Sequence, residues 1–143
     1  MITRYAIPFS AELTNNSNVI DQDEEWLIAT EPPSHLRTDI ERLIEVENTE
    51  FTDLFNDYGF ISEEGRAYIY QNAVTAFSVI DGDQTEIEMM ILQLDEYLIA
   101  KEKNEKETIY FIGRHHEELL MKVAAAYNVT VHIFDLDKSI KKD

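Results

Sequence analysis

Two adjacent histidines, His115 and His116, follow Gly113 and Arg114 between a strand-like run, Thr108–Ile112, and a helix-like run that begins near Glu117. A strand-to-helix turn presents free backbone N–H groups at the positive end of a helix dipole, which suits an anion, and imidazole adds acid–base or metal-ligating capacity. The details argue against such a site. Neighbouring residues do not share a helix face, the His-Glu-x-x-His spacing of a zinc helix is absent, and four glycines leave no room for a glycine-rich phosphate loop. The dipole also disfavours a charged histidine at a helix N-terminus. His115 and His116 are the candidates for a small enzyme that uses the Gly113–His116 turn, but the pattern fits turn and surface residues better. His132 lies in the middle of the last strand-like run and does not obviously join them.

Other groupings are weaker. Asp135 and Asp137 could hold a cation at the carboxyl end of the last strand, yet a lone Asp-x-Asp is not a ligand set. The stretch DGDQTE, residues 81–86, opens like a calcium loop but lacks the later ligands, and reads as a turn followed by a helix cap. No metal or cofactor is expected. The 29 carboxylates are too many for any acid–base pair to be picked out by type alone.

Their distribution says more. Residues 1–100 hold 21 Asp and Glu against four arginines, Arg4, Arg37, Arg42 and Arg66, whereas residues 101–143 hold eight of each sign and all seven lysines. The formal net charge of −17 is thus carried entirely by the first two-thirds. Such a field repels nucleic acid and anionic membranes, which bind through cations, and attracts a basic surface, including one evolved to hold nucleic acid. Solubility alone would be met by a net charge of about 8 or less on a small domain.

The elements that must position these residues follow from periodicity. ITRYAIPF and EEWLIAT read as short strands able to form a hairpin, the first limited by Pro8 and the second by Pro32 and Pro33. Leu36, Ile40, Leu43 and Ile44 recur at helical spacing after a Ser34 cap, or a Thr38–Glu41 capping box, which predicts a helix with Asp39, Glu41, Glu45 and Glu47 outward. Thr49 would cap a second helix carrying Phe51, Leu54, Phe55 and Tyr58 up to Gly59. Ser62–Gly82 traces a third through Ala67, Tyr70, Ala73, Val74 and Phe77, although its VTAFSVI end is β-branched. A Thr85–Glu88 capping box opens the fourth, with Ile87, Met90, Ile91, Leu94 and Leu98 inward and Glu86, Asp95 and Glu96 outward. KEKNEKE reads as a solvated helix end or connector, and Thr108 onward reads as β-α-β, with Asn128 closing the helix in a left-handed conformation.

The expectation is therefore one α+β domain over residues 1–143, with about four helices packed on a small mixed sheet and a C-terminal β-α-β unit. Tyr58, Phe60, Tyr68, Tyr70 and Tyr97 fall at core edges, some of them available as interface anchors. The chain lacks cysteine, a basic leader and any apolar run near the roughly 18 residues of a membrane span, which fits a soluble cytoplasmic protein. The function expected is that of a small acidic binder that inhibits or neutralises a basic-surfaced protein, as a nucleic-acid mimic, anti-defence protein or toxin-immunity protein does. Its partner-binding residues would be Asp39, Glu41, Glu45, Glu47, Glu86, Asp95 and Glu96. The alternatives are the small enzyme above and an acidic cytoplasmic adaptor with no charge-driven partner.

Overall fold

The computed structural model describes residues 1–9, 18–32 and 40–136. In chain order the strands are β1 (Ile2–Pro8), β2 (Val19–Gln22), β3 (Trp26–Ala29), β4 (Glu41–Val46), β5 (Thr49–Phe51), β6 (Gly59–Ile61), β7 (Ala67–Tyr70), β8 (Val74–Asp81), β9 (Leu98–Lys103), β10 (Thr108–Gly113) and β11 (Thr130–Ile133). The α-helices are α1 (Phe55–Tyr58), α2 (Gln84–Leu94) and α3 (Glu117–Ala126). The described residues are 45% strand and 28% helical, in two antiparallel sheets, which overturns the expected four helices on a small mixed sheet. They fall into two compact units, the first from Met1–Glu47 and Gly59–Gln71, the second from Asn48–Tyr58 and residues 72–136.

The first unit is a six-stranded sheet in the order β2-β3-β1-β4-β7-β6. β1 pairs with β3 from Tyr5↔Ala29 to Pro8↔Trp26, and Pro8 takes the last strand position, where a missing N–H costs least. The predicted helix over Ser34–Glu47 is replaced, in its described part, by β4. Leu43 and Ile44 are both fully buried and point to opposite faces, as consecutive strand residues must. The Leu/Ile spacing that mimics a helix comes from a strand buried on both sides, where alternation disappears.

The register assigns the faces. Ala6, Ile28, Leu43 and Tyr68 form a buried cluster on one face, with Trp26, Phe60 and Tyr70 packed against it. That face is concave, because edge strands β2 and β6 come together: the Glu63 N–H, two residues beyond the end of β6, donates to the Gln22 carbonyl at 3.0 Å. Gly59 makes β6 possible. A Cβ there would lie 2.1 Å from the Tyr68 carbonyl oxygen, inside the β6–β7 pairing.

The second unit orders its sheet β11-β8-β10-β9-β5. Phe77, Leu98 and Ile112 from the sheet pack with Met90 and Leu94 of α2 and Leu120, Val123 and Ala124 of α3. The predicted third helix is in fact β7, a 3-10 turn (Gln71–Ala73) and β8. Residues 74–78 are buried without a break, Thr75 and Ser78 included, so the strand lacks the alternation that would mark it and Val74 and Phe77 match helical spacing. The predicted helix from Thr49 shrinks to α1, because Thr49–Phe51 pair with β9 and the Thr52 hydroxyl, not Thr49, accepts from the Leu54 N–H at 3.2 Å. Asp83 rather than Thr85 caps α2, its carboxylate accepting from Thr85 N–H at 3.1 Å. α2 ends at Leu94, a 3-10 turn follows (Asp95–Tyr97), and Leu98 already belongs to β9.

KEKNEKE is the β9–β10 hairpin, turned by Asn104, whose side-chain oxygen accepts from the Lys106 and Glu107 N–H groups. Strand, helix and strand do follow one another as β10, α3 and β11, but β8 lies between the two strands, antiparallel to both. Asn128 closes α3 at φ 58°, with the Val129 N–H donating to the Ala124 carbonyl at 2.9 Å.

Leu94 is fully buried in the α2–α3 core, so Leu94→Ala should cost about 2–5 kcal/mol in denaturant unfolding. A change under about 1 kcal/mol would mean that the site collapses around the cavity or that α2 does not pack as described.

Candidate functional site

The concave face of the first sheet is organised around one buried carboxylate. Asp21, on edge strand β2, has a side chain with no solvent exposure. One of its oxygens accepts from the Ser62 hydroxyl and, at 2.9 Å, from the Tyr68 hydroxyl; the other accepts from its neighbour Gln22 N–H at 2.8 Å and from Glu64 N–H at 3.3 Å. Arg66 supplies the countercharge at 3.6 Å and also donates to the Ile20 carbonyl at 3.0 Å. Gln22 Nε2 donates to Glu63 at 2.6 Å. These contacts run from β2 to the β6–β7 hairpin and close the seam. Burial, the bond to Asp21 and the charges of Asp21 and Glu45 all push the Tyr68 hydroxyl well above its usual range, so it remains a donor. A second buried acid, Glu45, is held by Arg4 at 3.1 Å.

Beside the seam opens a cleft of about 490 Å³, lined by Asp23, Glu24, Glu25, Trp26, Phe60, Ile61, Ser62, Glu63 and Tyr70. Its apolar surface is aromatic. Phe60 lies 5.8 Å from Tyr70 and 5.6 Å from Tyr68, ring centre to ring centre. The rim is acidic, and among the described residues no lysine or arginine lines it. Asp23 has a local task, accepting from the Glu25 and Trp26 N–H groups at 2.9 Å each and so fixing the β2–β3 turn. Glu24 and Glu25 are exposed. The Tyr70 hydroxyl is pushed up by burial and by the charges of Asp23, Glu25 and Glu41, against a hydrogen bond from Trp26. The carboxylate field therefore reaches into the aromatic surface. Sequence reasoning put Phe60 and Tyr70 at core edges and passed over the cleft. One signal was present, the acidic run Asp23–Glu25 ending on the chain's single tryptophan.

The histidine pair lies in the second unit, in a 3-10 turn (Arg114–His116) between β10 and α3. The two rings are 3.9 Å apart and His116 is 4.7 Å from the Tyr97 ring. Gly113 is needed there, since a Cβ would meet the His115 ring at 2.7 Å and the Tyr58 hydroxyl at 2.8 Å. The flanking residues are tied to β8: Arg114 donates to the Val74 carbonyl at 3.2 Å and Thr75 donates to Glu117 at 2.9 Å. They line a cleft of about 370 Å³ with Asp135 and Leu136. Among the described residues, no group of three or more His, Asp or Glu side chains is placed to hold a metal ion. Asp135 is exposed and Asp137 lies outside the described residues.

The acids proposed for partner binding separate into three groups. Glu86, Asp95 and Glu96 are exposed on α2 and the turn after it, although Glu86 stands in the first turn of a helix that starts at Gln84. Glu41, Glu45 and Glu47 do not form a helical face: Glu41 is half-buried, Glu47 is exposed, and Glu45 is buried against Arg4. Asp39 lies outside the described residues. None of the described helices is long and apolar enough to cross a membrane. No protein family, curated protein or solved structure matches the chain.

Removing Asp21 would strand the Ser62 and Tyr68 donors and uncouple Arg66. Asp21→Ala should therefore cost about 2–4 kcal/mol by urea unfolding, the scale for leaving two buried hydroxyl donors unsatisfied. A loss under about 1 kcal/mol would show that the seam does not need its carboxylate.

His116 has its pKa lowered, first by burial and then by the charge of His115, from an ordinary value of 6.5. The unfolded chain thus takes up this proton first, and stability falls as the pH drops below 6.5 through the lowered value. Between pH 7 and 5.5, the Tm of wild type should drop more steeply than that of His116→Gln; parallel curves would refute the assignment.

Proposed function

We propose that this chain is a small acidic binding protein that docks on a basic-surfaced protein, of the kind that handles nucleic acid, and neutralises it. One observation carries the reading. Of the four arginines in the acidic two-thirds, Arg4 and Arg66 are spent on buried Glu45 and Asp21 inside the first unit. Each of these pairs is internally neutral, so the chain's whole excess of acid over base falls on the remaining groups. No lysine or arginine occurs between Arg66 and Lys101, a span in which Asp81, Asp83, Glu86, Glu88, Asp95 and Glu96 are all exposed.

Such a surface steers a basic partner from a distance and repels polyanions. The partner's cationic surface, if it evolved for phosphates, meets carboxylates in their place. Glu86, Asp95 and Glu96 carry the proposal on α2 and its following turn, and the cleft acids Glu24 and Glu25 carry it on the first unit.

The test is kinetic. With a captured basic nucleic-acid-binding protein, the association rate should fall steeply as salt rises beyond about 0.15 M, where the Debye length is about 8 Å. Reversing Glu86, Asp95 and Glu96 together to lysine should slow association by about ten-fold or more at low salt. Duplex DNA should compete with the chain for that partner. A rate flat in salt, unchanged by the reversal and indifferent to DNA would refute the proposal and favour an adaptor without a charge-driven partner.

A further inference from the structure

We propose that the cleft beside the β2–β6 seam is a docking pocket for an arginine side chain presented by the partner. The inference rests on the basic-partner reading above and names the group that the first unit engages. Two independent features converge on it. The wall is aromatic, built by Trp26 of β3, Phe60 of β6 and Tyr70 of β7. The rim is anionic, with Asp23, Glu24, Glu25 and Glu63 and, among the described residues, no cation.

A guanidinium matches both. It is planar, so it can stack on an aromatic face, and it is forked, so it can donate to a carboxylate at the same time. Lysine offers a compact, strongly hydrated charge that does neither as well. An apolar side chain would leave the rim charges facing it unpaired, and an anion would be repelled. The rim is also preorganised. Asp23 is fixed by the turn it caps, and Glu63 by Gln22, while Glu24 and Glu25 stand exposed at the opening. Ser62 and Glu63 belong to both the pocket lining and the seam, Ser62 donating to Asp21 and Glu63 accepting from Gln22, which ties the pocket to the Asp21 network.

Trp26 is the chain's single tryptophan and lines the pocket, so its fluorescence reports occupancy directly. The probes are acetylated, amidated tetra-arginine and tetra-lysine peptides, titrated at low salt. Tetra-arginine should change Trp26 emission saturably and bind several-fold more tightly than tetra-lysine. Glu24→Gln/Glu25→Gln should weaken it by about three- to ten-fold, the combined scale of two exposed ion pairs. Glu105→Gln/Glu118→Gln, which removes the same charge from exposed positions of the neutral third, should leave the affinity within about two-fold. Circular dichroism of each variant checks that the fold is kept.

Equal affinities for the two peptides, an unresponsive Trp26, or equal losses in the two double variants would each overturn the pocket. The failures of the two proposals remain separable. If the pocket fails while association with the captured partner still depends on salt and on Glu86, Asp95 and Glu96, the binding function stands and only the arginine pocket falls. If that dependence is missing too, both fall.

Discussion

A carboxylate with no solvent exposure is costly to bury unless donors surround it, and Asp21 meets that requirement only if the first sheet curls. Its partners Ser62, Glu64, Arg66 and Tyr68 lie more than forty residues further along the chain, on or beside β6 and β7. A flat six-stranded sheet would hold β2 and β6 at opposite edges. Satisfying Asp21 brings those edges together, and this bending gives the sheet a concave side, a filled aromatic interior and a cleft beside the seam. It also manages the hazard of exposed edges, since each edge strand faces the other rather than a second molecule.

The same chemistry sets the outward electrostatics. Arg4 and Arg66 each pair with a buried acid, so these pairs cancel and the rest of the chain carries the whole excess of acid over base. In the second unit Glu50 is bridged by Lys101 and Lys103, both at 3.0 Å, and Lys122 meets Glu118 at 3.3 Å. Lysines that first occur at residue 101 thus neutralise local acids, while the exposed acids of residues 81–96 lack cations nearby in sequence.

What the sequence made legible was mostly local. The short strands β1 and β3, the helical runs that became α2 and α3, the left-handed Asn128 and the turn at His115–His116 all follow from neighbours within a few residues. The errors share a physical cause. Leu43, Ile44, Val74 and Phe77 sit in strands buried on both faces, where the alternating pattern vanishes and helical spacing arises by chance. Glu45 misled in a second way: its charge marked it as outward, and only the non-local pairing of β4 with β1 puts Arg4 within reach. The cleft was hidden for the same reason, because Trp26 meets Phe60 and Tyr70 through strand pairings that no window of sequence contains.

The backbone passes between the two units after residues 47, 58 and 71, so neither is a continuous stretch of sequence. During synthesis the two are not equivalent. Once residue 71 has emerged, every strand of the first sheet and every partner of Asp21 is available, with residues 48–58 as a loop whose β-partner, β9, does not yet exist. The second unit must retrieve that earlier segment, with Phe55 and Tyr58, when β9 and the Gly113 turn are made. Gene fragments cut at residue 71 would therefore divide the molecule unevenly: the N-terminal piece keeps a complete sheet, whereas the C-terminal piece loses an edge strand and a buried aromatic residue.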